Sequence, residues 1–391
     1  MRIALAGPAD IPLLARLLAP AAEPGLPPGL GSSIIPHLAT EFSHGGHEVT
    51  VVTLSRGVEQ PVRCRIGPVD VVVGGFRTRH YARDALRAER RTVSALLDSL
   101  DVDLAHAHWT YEFALGALAT RHPVLVTVHD WAPAVLRRRR DAYRAMRMAM
   151  QGVCVARARH MTAVSPYVGQ ALARFVPRAA AVVPNGVPDD FCVPDVRTTR
   201  GTGHRVLSIS TDFDRLKNGA ALIAGFASVR AELPGVRLTL AGHGYEPGGP
   251  AETWARARGL ADGIVFAGPV PAERVPVLLD DADLFVAPTL EESFGMTVLE
   301  SMARGLPVVG GHRSGAVPWL LDGGRAGVLV DVRRPRDIAR GILGLALDSA
   351  GRERIGRAAL ARAREFTVSA SAARYLRQYR HVVRGTTRGA R

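Results

Sequence analysis

Short apolar runs alternate along this chain with stretches whose apolar residues return every three to four positions. In the first half, the runs at 2–6, 47–54, 69–74, 102–108, 124–129 and 161–165 predict strands. Between the first two, Ile34, Ile35, Leu38, Ala39 and Phe42 keep helical spacing and stop at Gly45-Gly46, a reasonable C-cap. Helical patterns also cover 80–99 and 131–158. A polar stretch at 195–203 (DVRTTRGTG) has the composition of a linker, after which the alternation restarts. Runs at 206–210, 236–241, 264–267, 284–287 and 308–310 predict more strands, with helices near 217–232, 271–280 and 294–304. Helical patterns near 335–347, 351–364 and 368–384 close the chain, followed by RGTTRGAR, which reads as a frayed, disordered tail.

Alternating strands and helices imply parallel sheets covered on both faces. A chain of 391 residues suits two such sheets better than one. The expected fold is therefore α/β, two Rossmann-like doubly wound domains facing each other across a cleft. Their expected bounds are 1–194 and 204–367, with the linker at 195–203 and a C-terminal helix in 368–391 packing back toward the N-terminal domain. Such sheets bind ligands beyond the carboxyl ends of their strands, so chemistry is expected on the loops that follow strands.

Composition narrows the function classes. The net charge of +14 would ordinarily suggest nucleic acid or an anionic membrane. Residues 1–200 and 201–391 each carry +7, however, so no basic module or tail stands out, and no nucleic-acid partner is expected. No segment approaches the roughly 18 apolar residues of a membrane span. Pro8, Asp10 and Pro12 break the opening apolar run, against a signal peptide. Cys64, Cys154 and Cys192 are odd in number and lack metal-ligand spacing, which fits a reducing cytoplasm. Among 50 basic residues only Lys217 is lysine. Where arginine serves almost everywhere, a single lysine marks a place that needs a compact ammonium.

The segment 287–300 (APTLEESFGMTVLE) ends a strand, forms a short loop and opens a helix near Phe294. The amides of Phe294, Gly295 and Met296 would then be N-terminal donors at the positive end of the helix dipole, a site suited to a diphosphate. Gly295 lets the backbone approach a ligand closely. Ser293 lies between Glu292 and this turn, and Glu292 and Glu300 offer carboxylates to vicinal hydroxyls at two points of an extended ligand.

The spacing Glu292-x7-Glu300, within ESFGMTVLESMARGLPVV, resembles glycosyltransferase family four (group 1), the retaining GT-B enzymes. GHEVTVVTL at 46–54, DLAHAHW at 103–109, VTVHD at 126–130, VVPNGV at 182–187 and Gly242-His-Gly244 follow in family order. The resemblance implies a metal-independent hexosyltransferase without a cofactor, with an acceptor-side first domain and a second domain binding a nucleotide-diphosphate sugar, UDP being favoured. Glu292 would hold the sugar, Glu300 the ribose and Lys217 the leaving diphosphate. His129, ending a strand of the first domain, would face the anomeric centre across the cleft. The catalytic set implied is His129, Lys217 and Glu292. Donor contacts add Thr211, Arg215, Gly242, Ser293, Phe294, Gly295, Met296 and Glu300.

Two departures stand out. The Gly-Arg pair that usually precedes the lysine reads Ser210-Thr211, leaving Arg215 as the substitute clamp, and Trp319 stands where the family has a carboxylate. Its expected role is core packing. On the acceptor side, Gly29 and Gly31 resemble the family's glycine loop, and Trp109, Tyr111 and Glu112 after a strand offer a stacking surface and a carboxylate. The expected acceptor is small and hydrophilic, in a secondary-metabolite pathway of the aminoglycoside type. Alternatives are a lipid-linked acceptor in exopolysaccharide or glycolipid assembly and a non-catalytic sugar-nucleotide-binding subunit. Arg137–Arg140, Arg144, Arg147 and Met146, Met148 and Met150 are the basis for weak peripheral contact with the inner membrane face, against the simpler reading of a solvated arginine-rich surface. Asp101-Val-Asp103 and Asp281-Ala-Asp283 precede strands and read as turn residues rather than metal ligands, and His106, His108 and His129 lack a second cluster to make a zinc site.

Overall fold

A computed structural model describes residues 1–19, 25–176, 180–196 and 203–388, with side chains to residue 384. The chain divides into two compact units, Met1–Gly186 with Val368–Arg391, and Val187–Thr367.

In the first unit, β1 (Arg2–Ala6), β2 (Glu48–Arg56), β3 (Val62–Ile66), β4 (Val69–Phe76), β5 (Leu104–His108), β6 (Val124–Val128), β7 (His160–Ala163) and β8 (Ala181–Val182) form one sheet. Its order is β3-β4-β2-β1-β5-β6-β7-β8. Every pairing is parallel except β3 with β4. Side chains of successive strand residues point to opposite faces, so Ile3 and Leu5 enter one core layer and Ala4 and Ala6 the other. The C-terminal helix Val368–Arg388 supplies Val368, Ala372, Tyr375, Tyr379 and Val382 to the first of these layers, a three-to-four spacing that turns one helical face inward.

The second unit contains β9 (Arg205–Ile209), β10 (Arg237–Ala241), β11 (Ile264–Gly268), β12 (Leu284–Ala287), β13 (Val308–Gly311) and β14 (Val328–Val330), in the order β11-β10-β9-β12-β13-β14. All neighbours are parallel. The first strand of each unit is central and the order reverses beside it, between β1 and β5 and between β9 and β12, which puts a ligand crevice at each carboxyl edge. The opposite edges carry matching clasps. Arg2 donates from its backbone and guanidinium to Asp103 at 2.8 and 3.0 Å and also pairs with Asp101. Arg205 does the same with Asp283 at 3.0 and 2.9 Å and with Asp281 at 2.7 Å. Both Asp-x-Asp pairs thus hold strand starts, at the edge away from any ligand.

Several expectations are corrected. The units part at Gly186/Val187 rather than at 195–203. Residues 187–196 pack into the second unit, where the Val193 amide donates to Ala303 O at 3.0 Å and Val196 is buried. Residues 197–202 of the expected linker lie outside the described residues. The helix expected over 80–99 is Arg87–Asp98, entered through Leu86 in the left-handed region at φ 55°. The one expected over 131–158 is two, Ala132–Arg138 and Ala142–Arg157, because Asp141 caps a new start by accepting from the Arg144 amide. The helix in the final segment runs to Arg388, through most of the stretch expected to be disordered. Residues 389–391 of that stretch lie outside the described residues.

Candidate active site

In the second unit, the loop 210–218 leaves β9 and enters the helix Gly219–Glu232. Asp214 shapes it by accepting the Lys217 amide at 2.8 Å. Asn218 adopts the left-handed region at φ 59°, which asparagine tolerates better than most residues. Its Nδ2 donates to Pro288 O at 2.9 Å and Val332 O at 2.7 Å, tying the loops after β9, β12 and β14 together. The Leu290 amide adds a bond to Leu216 O at 2.9 Å. The result is that Lys217 Nζ lies 2.6 Å from Glu292 Oε1, with side-chain exposures of only 18% and 22%.

Glu292 is held from behind by 314–316. Its carbonyl accepts the Ala316 amide at 2.8 Å, and Ser314 Oγ donates to Thr289 O at 2.5 Å. Gly315, at φ 62°, must be glycine: a Cβ there would lie 2.2 Å from Glu292 O. Gly242 is likewise a backbone requirement, at φ 123° with Ser210 O only 1.6 Å from any Cβ. Glu291 Oε1 nearby is buried without a hydrogen-bond partner.

The helix Met296–Ala303 starts two residues later than expected, because Gly295 at φ 100° acts as its N-cap. Its first-turn amides therefore belong to Met296, Thr297 and Val298 rather than to Phe294, Gly295 and Met296. Phe294 is instead a core side chain, edge-on to Trp319 at 6.2 Å and to Phe366 at 6.3 Å. Trp319 also meets Phe366 at 5.2 Å, a packing role for the residue that stands in the family's carboxylate position. Ser293 stays half-buried between Glu292 and Phe294. Glu300 retains some solvent contact, yet burial pushes its carboxyl up to about 7. Thr211 and Arg215 are both exposed, so Arg215 is not built into the core of the site.

In the first unit, Gly29 (φ 73°) and Gly31 (φ 75°) lie in a loop whose Leu30 and Gly31 amides both donate to Ala9 O, just after β1. A Cβ on Gly29 would come within 2.1 Å of that oxygen, whereas Gly31 faces open space. Across the switch point, β5 ends in His108 and β6 leads into His129. His108 Nδ1 and His129 Nε2 share a hydrogen bond of 2.9 Å. His106 is fixed separately, by Tyr379 Oη at 2.6 Å and Thr127 Oγ1 at 2.7 Å. Trp109, at φ 64°, lays its ring on His129 with centroids 4.1 Å apart. Burial holds His129 well below the usual histidine range and pushes His108 down to about 3, so both rings are neutral. Among the described residues no group of three or more histidine, cysteine or carboxylate side chains is disposed to hold a metal ion.

Tyr111 is corrected from an expected acceptor contact. It is buried, and its hydroxyl donates to both Asp130 oxygens at 2.8 and 2.9 Å. Arg147 sits 3.5 Å over its ring and 3.7 Å from Asp130. That arginine therefore faces inward rather than toward a membrane. Met150 is buried and Met146 packs on the core, which leaves Met148 as the exposed methionine of the expected stripe. Glu112, half-buried beside this cluster, has its carboxyl raised by burial. The sequence reading missed Asn218, Ser314, Asp130 and the His108–His129 bond. Only the last left a trace, in the HAHW and VHD strand ends.

Two family profiles match. One described as "Glycosyltransferase Family 4" covers residues 33–191 and one described as "Glycosyl transferases group 1" covers 203–348. D-inositol 3-phosphate glycosyltransferase of Corynebacterium jeikeium is 30% identical over 228 residues, 54% of each chain. The protein of that name in Segniliparus rotundus is 31% identical over 219 residues, 54% of this chain and 48% of its own. The chain thus spans about half the length of these curated relatives. Among solved structures, sucrose-phosphate synthase from Thermosynechococcus elongatus superposes with a TM-score of 0.77 at 19% identity, covering 98% of this chain and 100% of that one. Anabaena HepE, solved with UDP and glucose, gives 0.67 at 18%, covering 96% and 98%. These likenesses show the GT-B fold, two α/β domains with parallel sheets. With both halves matched in order by the two profiles, the chain belongs to the family 4, group 1 glycosyltransferases.

Proposed function

We propose that the protein transfers a hexosyl or aminohexosyl unit from a nucleotide-diphosphate sugar, UDP favoured, to a hydroxyl of a small hydrophilic acceptor, retaining the anomeric configuration and needing no metal. The observation that carries this reading is the half-buried Lys217–Glu292 pair at the switch point, beside the start of the helix Met296–Ala303. An ammonium has three N–H donors, so Lys217 can keep one on Glu292 and offer the others to the diphosphate. In front-face transfer the acceptor oxygen bonds to the anomeric carbon as the bond to the β-phosphate oxygen breaks. The acceptor's proton passes to that departing phosphate oxygen. Lys217 and the helix N-terminus stabilise the charge developing there, and this term together with positioning lowers the barrier. Glu292 and Glu300 would hold sugar and ribose hydroxyls.

The relatives named for an inositol phosphate and the fold neighbour holding UDP and glucose support a small polyol acceptor and a UDP donor. They lend no support to a secondary-metabolite pathway, and only the acceptor chemistry is carried forward. A cytoplasmic setting fits the thiols; among the described residues no helix is long and apolar enough to cross a membrane. The exposed Thr211 and Arg215 favour one rival, a subunit that binds sugar nucleotide without turning it over.

Melting temperatures with UDP, GDP, ADP and TDP in excess EDTA test the donor site. At about 100 times its dissociation constant the correct nucleotide adds roughly 2.7 kcal/mol. A selective shift, together with slow release of free sugar from the matching donor that Glu292→Ala abolishes, is the expected result. A shift without any turnover would establish the binding subunit instead.

A further inference from the structure

We propose that the first unit carries a subsite for a hydroxyl arm of an uncharged polyol, with the side-chain amide of Asn185 as its recognition group. That this polyol is the sugar acceptor rests on the sugar-transfer reading; its binding to the first unit does not.

After β8 the chain passes through Pro184, Asn185 and Gly186. Asn185 is only 8% exposed. Its backbone is not left-handed, so the conformational tolerance that accounts for Asn218 does not account for it. Among the described residues nothing hydrogen-bonds to its side-chain amide. Buried amides without a partner are destabilising, and one that a native fold keeps points to a ligand. The amide is not sealed in. It lines a recess of about 20 Å³, open on one side, with Ser33, His37, Leu38, Val368 and Tyr375, all residues of the first unit.

Size and chemistry decide what fits. A water-sized group needs roughly 10–15 Å³ of such space, so the recess admits one hydroxyl and neither a phosphate nor a sugar ring whole. None of its lining residues is a carboxylate, arginine or lysine, and His37 already has a partner. The helix Ile34–His44 begins at the recess but has little to offer an anion. Its Ile34 amide leans on Ser32 Oγ at 3.4 Å and Pro36 has no N–H, so among the described residues its first turn leaves the Ile35 amide free. A carboxamide instead holds N–H donors and a carbonyl acceptor side by side, which matches a hydroxyl that donates and accepts at once. Ser33 Oγ, which caps no amide of that helix, adds a second group of this kind, while Ser371 Oγ is already committed to Pro184 O at 2.7 Å. Ile34, Leu38 and Val368 give the carbon bearing the hydroxyl an apolar wall.

Asn185 and Asn218 are the only asparagines of the chain, so ¹⁵N-asparagine labelling of the full protein gives two side-chain amides to follow. The Asn218 amide, committed to two carbonyl oxygens, is the internal control, and Asn185→Leu identifies the other by its loss. Titrated separately and without nucleotide, myo-inositol should move the Asn185 signals and leave those of Asn218 in place, and inorganic phosphate should move neither. Asn185→Leu keeps the approximate size and removes the amide. It should weaken inositol binding about tenfold or more by calorimetry. It should also melt no lower than wild type, whereas loss of a merely structural amide would lower the melting temperature. Movement of the Asn185 signals by phosphate would overturn the proposal in favour of an anion site. Signals unmoved by either probe, or inositol binding to Asn185→Leu as to wild type, would reduce the recess to one that holds solvent. A parallel sample with UDP separates the two readings: no melting shift there, with inositol still moving Asn185, would remove the sugar-transfer reading and leave the subsite.

Discussion

Glu300 is a carboxylic acid whose surroundings resist its charge. Its folded-state value of about 7 lies above the ordinary 4.5. Below about 4.5 folded and unfolded chains both hold the proton; between there and about 7 only the folded chain does. Stability therefore falls as pH rises through that window and stays reduced above it. Glu300→Gln removes the charge and nearly keeps the shape. We expect it to match wild type at pH 4.5 and to exceed it by on the order of 2 kcal/mol at pH 8, a figure discounted for the side chain's partial exposure. Urea denaturation at both values checks this, and parallel curves at the two pH values would remove the idea of a resisted charge. Residues of this kind were legible because E-x7-E is contiguous in sequence. Tyr111 was misread for the opposite reason: an aromatic after a strand suggests a stacking surface, but Asp130 and Arg147, one distant by 19 residues and the other by 36, claim it for the core.

The element that builds the site is the start of the helix Gly219–Glu232. Asn218→Ala would lose two bonds to carbonyl oxygens, each worth about 1 kcal/mol, and place a Cβ without a polar side chain in the left-handed region at about 1 kcal/mol more. The expected loss is about 3 kcal/mol, against about 2 kcal/mol for Asn218→Gly, which relieves the backbone. Chemical denaturation separates them, and equal losses would mean that the backbone conformation carries no cost. Asn218 had no sequence signal, since its partners Pro288 and Val332 come from two other loops. The long elements announced themselves by period. The short ones did not: the helix Glu112–Ala117 spans too few residues to repeat, and β8 has two. Two signals were readable and passed over. Val62-Arg63-Cys64-Arg65-Ile66 alternates as an antiparallel edge strand should, and Asp141 is a good N-cap in the middle of an otherwise continuous helical pattern.

At the scale of the whole molecule the two units differ in how the chain builds them. The second is one continuous stretch, Val187–Thr367, while the first needs Val368–Arg391 returned to it. Tyr375 and Tyr379 lie in the first unit's core and their hydroxyls meet Thr127 and His106. Residues 187–367 alone should therefore fold and show a nucleotide-dependent melting shift, while residues 1–186 alone should lose cooperative unfolding. A cooperative transition in 1–186, followed by circular dichroism, would contradict this. Two-domain organisation was visible from the alternation of strands and helices, but not the place where the units part. Residues 187–196 carry prolines and aspartates like a linker, and only three-dimensional contacts assign them to the second unit: the burial of Val187 and Val196 and the bonds of the Val187 and Val193 amides to Phe366 O and Ala303 O. One further consequence follows from Lys217, the single lysine of the chain, standing against Glu292. Within these 391 residues an amine-selective reagent meets a single side-chain target, and it lies at the proposed donor site. Acylation chemistry that would scatter labels over an ordinary surface would here distinguish an occupied site from an empty one, with no residue engineered in to report it.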